Sequence, residues 1–128
     1  FYEDTLWENI IIDKYSTKEN IVELSERLDI YEDIQSFSGG FEFMLTKNAG
    51  NISGGQKKRI DALRAFSKSY DVFIFDEGTN GLDKSRKKIL HNFLKQMKKD
   101  KIVIIISHDL EDLNLADVLY TIKDKEVK

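Results

Sequence analysis

Asp76 and Glu77 follow directly on the apolar run Val72-Phe73-Ile74-Phe75, and Ser107 and His108 follow in the same way on Ile102 to Ile106. Both runs have strand length and no polar alternation, the pattern of a parallel strand covered on both faces. Open parallel sheets bind ligands beyond the carboxyl ends of their strands, so two carboxylates and an imidazole are expected at one sheet edge. Asp76 there suits Mg²⁺, a hard cation that takes carboxylate oxygen and keeps part of its water shell. Glu77 beside it could polarise an attacking water, and His108 could donate to a phosphate oxygen. Taken singly, each has a plainer reading: an Asp-Glu pair as solvated loop carboxylates, a strand-end histidine as a structural residue.

Ser53-Gly54-Gly55-Gln56 is a third feature with chemical potential. Ser-x-x-Gln has the form of a capping box, in which hydroxyl and amide side chains satisfy the orphan groups of a first helical turn. The two glycines leave backbone N–H groups accessible at the positive end of the helix dipole, which favours an anion. A capped loop-to-helix junction explains the same four residues equally well. His91, among lysines in a helix, reads as a surface or boundary residue.

These residues need elements to hold them. Thr5 to Ile12 is a short apolar segment, and Ser16-Thr17-Lys18-Glu19 has capping-box form ahead of a helix with Ile21, Leu24 and Leu28 on one stripe. Ile30 to Ile34 adds a short helix, and the glycines and polar residues from Gln35 to Asn51 read as loop. The helix opened by Ser53 carries Ile60, Leu63 and Phe66 on one face. Lys84 to Lys99 places Ile89, Leu90, Phe93, Leu94 and Met97 at core-facing helical spacing. Asp109 can cap a short helix through Leu115, and Val118 to Ile122 offers a third strand. Strand, helix, strand, helix, strand predicts a parallel α/β layer. A helical part over residues 1–68 and an α/β part over residues 69–128 are expected to meet near Lys68.

Composition narrows the field. The 128 residues are 41% hydrophobic and 34% charged, as in a folded soluble domain and unlike a disordered tail. The net charge of −3 supplies no basic footprint for nucleic acid. With no cysteine, disulfides and thiolate metal sites are excluded. The longest aliphatic run, Ile102 to Ile106, is far short of the ~20 residues a membrane helix needs. The start at Phe1, without initiator Met or signal pattern, predicts a chain that is part of something larger.

In this order the motifs resemble the ATP-binding cassette (ABC) ATPases. Asn51-Ile52-Ser53-Gly54-Gly55-Gln56 and the basic residues after it look like the signature Leu-Ser-Gly-Gly-Gln, with Asn51-Ile52 in place of Asn-Leu. Val72 to Glu77 resembles the Walker B strand with its catalytic glutamate, Gly81-Leu82-Asp83 the D-loop, and Ile104 to His108 the switch-histidine strand. Phe1 to Ile10 is similar to the exporter segment after the Q-loop, whereas Lys47-Asn48-Ala49-Gly50 departs from the usual lead-in to the signature. The similarity covers essentially the whole chain.

The resemblance implies a partial P-loop NTPase fold, a helical subdomain followed by part of the parallel-sheet core. It implies two cassettes stacked head to tail, with Ser53, Gly54 and Gly55 on the γ-phosphate of ATP bound to the partner and Gln56 supporting that turn. Asp76 would position Mg²⁺, Glu77 would be general base, His108 would bind the γ-phosphate, and Asp83 would communicate across the dimer. Transmembrane domains are the implied second partner, the cytoplasmic membrane face the implied location, and nucleic acid is not expected. A phosphate loop needs Gly-x-x-x-x-Gly-Lys-Ser/Thr, and no Gly-Lys pair occurs in this sequence. The chain by itself is therefore expected to bind ATP poorly and to be inactive. A soluble ABC ATPase of DNA repair or translation and a non-catalytic, degenerate cassette are the competing readings. The exporter-like start opposes the first, and Glu77 with His108 the second.

Overall fold

The computed structural model describes residues 1–11, 16–123 and 126–127. Ile12, the last residue of the apolar N-terminal segment, lies outside them. Six helices and two small sheets are present among the described residues: α1 (Leu6–Ile10), α2 (Lys18–Arg27), α3 (Tyr31–Ser36), α4 (Gly54–Phe66), β1 (Val72–Asp76), α5 (Lys84–Met97), β2 (Ile102–Ile106), α6 (Leu110–Leu113), β3 (Ile122–Lys123) and β4 (Glu126–Val127). The stretch expected as loop between α3 and α4 contains two 3-10 turns, Gly40–Glu42 and Lys47–Ala49.

The N-terminal segment is tied down by one side chain. Asn9, 1% exposed, accepts from Tyr2 N at 2.9 Å and donates through Nδ2 to Tyr2 O and Thr5 O. A bridge between Thr5 and Met44 then lays this segment against the loop that leads to α4. At α2 the cap is Thr17, whose hydroxyl accepts from Asn20 N, one residue beyond the expected Ser16. Ser16 is occupied elsewhere, donating to Ser67 O at the end of α4.

Leu6, Ile10, Ile21, Leu28, Ile30, Ile34, Ile60 and Leu63 form one buried cluster that continues into Leu90 and Leu94 of α5 and Leu115. The joint is aromatic: Phe66 of α4 stacks on Phe93 of α5 with ring centroids 5.2 Å apart and also meets Phe73 and Phe75 of β1. Burial of this continuous apolar surface is what fixes α4 against the strands.

β1 and β2 pair in parallel, Val72 with Ile102 through Asp76 with Ile106. The register sets the two chemistry-bearing strand ends side by side. Two expectations need correction here. The strands are covered on one face only: Phe73, Phe75, Val103 and Ile105 point inward, while Val72, Ile74, Ile102, Ile104 and Ile106 are between 44% and 65% exposed. Phe66 of α4 packs on the inward face, and the residues of the other face stay largely open. Nor is Val118 to Ile122 a third parallel strand. Of these five residues only Ile122 joins a ladder, antiparallel with Val127; Val118, Leu119 and Tyr120 stay exposed.

Candidate functional site

At the carboxyl edge of the two-stranded sheet, the backbone N–H of Glu77 extends the ladder by donating to Ile106 O at 2.9 Å. Glu77 then turns into the left-handed region, with φ +50°. For a residue with a Cβ this conformation costs about 1 kcal/mol or more and concentrates at functional sites. The turn brings the carboxylate to His108: Nδ1 donates to Oε1 at 2.9 Å. Asn80 Nδ2 holds Oε2 at 2.5 Å, and Lys58 of α4 donates to the Glu77 carbonyl at 2.9 Å. The hydrogen bond to Glu77, and next the charge of that carboxylate, hold His108 above the ordinary imidazole range. The Asp76 carboxylate is exposed and takes no hydrogen bond or ion pair from another described side chain.

The signature-like turn is built as expected. Ser53 Oγ accepts from Gln56 N, and Gln56 Oε1 accepts from Ser53 N, so both arms of the capping box are made. Gln56 also donates to Asp33 of α3 at 2.8 Å, and Arg59 pairs with the same carboxylate at 2.9 Å. Asp33 thus braces the turn from the neighbouring helix. Neither Gly54 nor Gly55 has a positive φ, and a Cβ built on either meets nothing within 4 Å. No contact within this chain requires glycine there. The open space above the first turn of α4 is what an approaching anion needs.

Asp83 caps α5, accepting from Arg86 N at 3.0 Å; this backbone hydrogen bond leads the causes that hold its carboxyl below the usual range. Its contacts run to Arg86 rather than to Glu77 or His108. Asp76, Glu77 and His108 therefore assemble at one edge, while Ser53 to Gln56 and Asp83 occupy separate positions linked to it through α4 and the 78–82 turn.

Several supporting residues escaped sequence reasoning: Asp33, Lys58, Asn80 and Asp112. Asp112 is 1% exposed and bonded to Thr79, Ser107 and His91. His91, read as a surface or boundary residue, has a side chain only 12% exposed and bound to that acid. Apart from Asn80, three residues from Glu77, these contacts follow no local spacing rule.

No protein-family model matches the chain. Among solved structures it resembles a bacterial Atm1-family ABC exporter with ATP bound, at a TM-score of 0.79 over 88% of this chain and 20% of that one. At 21% identity that likeness shows the fold. Among curated proteins the chain is similar to the ATP-dependent lipid A-core flippases of Haemophilus influenzae (32% identical, 99% of this chain, 22% of the relative) and Vibrio vulnificus (33%, 98% and 22%). The flippase of Francisella tularensis matches at 31% over 91% of this chain and 19% of its own length. The chain is a segment of an ABC nucleotide-binding domain of the exporter type. It spans about a fifth of the length of these relatives.

Proposed function

We propose that the protein to which this chain belongs hydrolyses ATP at a dimeric cassette and couples hydrolysis to export across a membrane. The observation that carries the reading is the His108–Glu77 contact of 2.9 Å at the carboxyl edge of β1 and β2. Glu77 is the general base for the attacking water. His108, whose imidazole the Glu77 hydrogen bond holds above its ordinary range, exchanges that carboxylate for the γ-phosphate when nucleotide arrives, which frees Glu77 Oε1 to accept a proton from water. Hydrolysis then transfers the γ-phosphoryl group to the water oxygen and breaks its bond to the β-phosphate oxygen. Positioning and charge neutralisation supply most of the rate.

The carboxylate of Asp76, exposed and without a partner among the described residues, fits Mg²⁺, which is held through one or two carboxylates plus substrate phosphates and water. Bound there, the ion would neutralise phosphate charge. Ser53, Gly54 and Gly55 offer the γ-phosphate of the partner cassette's ATP a capped helix start with nothing above the glycines, Gln56 stiffens that turn, and Asp83 lies on the dimer-facing D-loop.

The division of this segment into a helical part, residues 1–68, and an α/β part, residues 69–128, belongs to the same proposal. So does the remainder of a P-loop core. The bare apolar face of β1 and β2 supports it, because a sheet between helical layers buries both faces. Transmembrane domains and a second cassette complete the assembly at the cytoplasmic side of the membrane. No helix among the described residues is long and apolar enough to cross a membrane. The deciding experiment is ATP turnover by the full-length protein and its Glu77→Gln variant. Loss of turnover with retained ATP binding is expected, and near-normal turnover refutes the assignment.

A further inference from the structure

We infer that Asp112 is a positioning residue for this reaction, a buried carboxylate that ties the turn carrying Glu77 to the strand end carrying His108. Its Oδ2 accepts from Thr79 Oγ1 at 2.5 Å and from Ser107 Oγ at 2.7 Å, and its Oδ1 meets His91 Nε2 at 2.6 Å. Thr79, itself 4% exposed, lies two residues beyond Glu77. Ser107 directly precedes His108, and His91 belongs to α5. One side chain therefore joins the turn after β1, the end of β2 and the helix between them.

A carboxylate buried without partners is costly, and a core of this kind is served as well or better by an apolar side chain of equal volume. Here the burial cost is offset by donors from the two site-bearing turns, Thr79 and Ser107, and by His91 of α5. Burial pushes the Asp112 carboxyl upward, but the hydrogen bonds from Thr79, Ser107 and His91 outweigh it and hold the group below the usual carboxylate range. The residue stays ionised. Neither of its oxygens bonds to Glu77 or His108, so its effect runs through Thr79 and Ser107. Asp109, which caps α6, is clamped to α5 by Lys87 at 2.5 Å and donates its own N–H to Ser107 Oγ at 3.0 Å. The short helix is thus anchored where Asp112 can hold both turns. Catalytic groups need placement within about 0.5 Å of productive geometry by groups locked behind them.

The inference rests on Glu77 and His108 being the hydrolytic pair, so the test includes Glu77→Gln. Full-length protein in lipid vesicles is assayed for ATP turnover per titrated nucleotide site, with Asp112→Asn, Thr79→Val, Ser107→Ala and the Thr79→Val/Ser107→Ala double variant. Asp112→Asn is expected to lower kcat about tenfold or more, the scale of effect that misplaced reacting groups produce, with KM for Mg-ATP changed by less than about twofold. The two single variants should each lower kcat, and together by less than the product of their separate effects, because they share one acceptor. If Asp112→Asn does not fold, this pattern in the Thr79 and Ser107 variants decides. Unchanged kcat per site, or strictly multiplicative effects, overturns the role of Asp112 while an inactive Glu77→Gln leaves the ATPase reading standing. An active Glu77→Gln variant overturns both.

Discussion

His108 Nδ1 and Glu77 Oε1, 31 residues apart in sequence, lie 2.9 Å from each other where two parallel strands end. The contact joins a base candidate to an imidazole that can trade it for phosphate. Replacing Glu77 by Gln in the full-length protein should lower kcat by about a hundredfold or more, the range for loss of general base catalysis. ATP binding measured by a filter or fluorescence assay should persist.

The same contact has a pH signature. The Glu77 hydrogen bond and charge raise His108, with burial opposing and Asp109 and Asp112 adding smaller contributions. A raised folded-state value means the pair's stabilisation is complete below the unfolded imidazole value of about 6.5 and is lost as pH rises through the folded value. In an NMR titration, Glu77→Gln should bring the His108 midpoint down toward the ordinary range. An unmoved midpoint would show that the contact does not persist in solution. With the His108 side chain 76% exposed, added salt should weaken the upward shift.

Gly55→Ala separates stability from function. A Cβ at Gly55 meets nothing within 4 Å, and alanine exceeds glycine in helix propensity by roughly 1 kcal/mol. Thermal unfolding should be unchanged or slightly later, while ATP turnover by the full-length dimer falls because the methyl group occupies the phosphate approach. A fall in melting temperature matching the loss of activity would contradict this account.

Ile74→Asp tests the bare sheet face. Ile74 is 65% exposed in this chain, so light scattering should show less aggregation of the isolated segment. In the full-length protein the same change puts an unpaired charge where the proposed core is covered, at a cost of several kcal/mol, and should abolish folding. Normal expression and activity of the full-length variant would mean that this face stays open.

Calorimetric titration of residues 1–128 with Mg-ATP should show no tight binding, since the sequence contains no Gly-Lys pair for a phosphate loop. Micromolar affinity would locate the grip on nucleotide within this segment.

Much of this site was legible in the residues alone, for a local reason. Capping at Ser53 depends on groups three residues apart, and the strand-end positions of Asp76, Glu77 and His108 follow from the uninterrupted apolar runs before them. The order of those motifs carried the family resemblance. Other features depend on pairings that no local pattern encodes. The cap at Thr17 rather than Ser16 reflects a bond from Ser16 to Ser67, 51 residues away. Val118 to Ile122 has strand-like composition, yet a strand forms only against an available edge, and only Ile122 found one. The period of the apolar runs predicted strands buried on both faces, since it records what the sequence is suited to bury; the arrangement of helices decided that one face is bare. Asp112 is the sharpest case. Its acidity and its place on a short helix look like surface, and only the parallel register that sets β1 beside β2 closes Thr79, Ser107 and His91 around it.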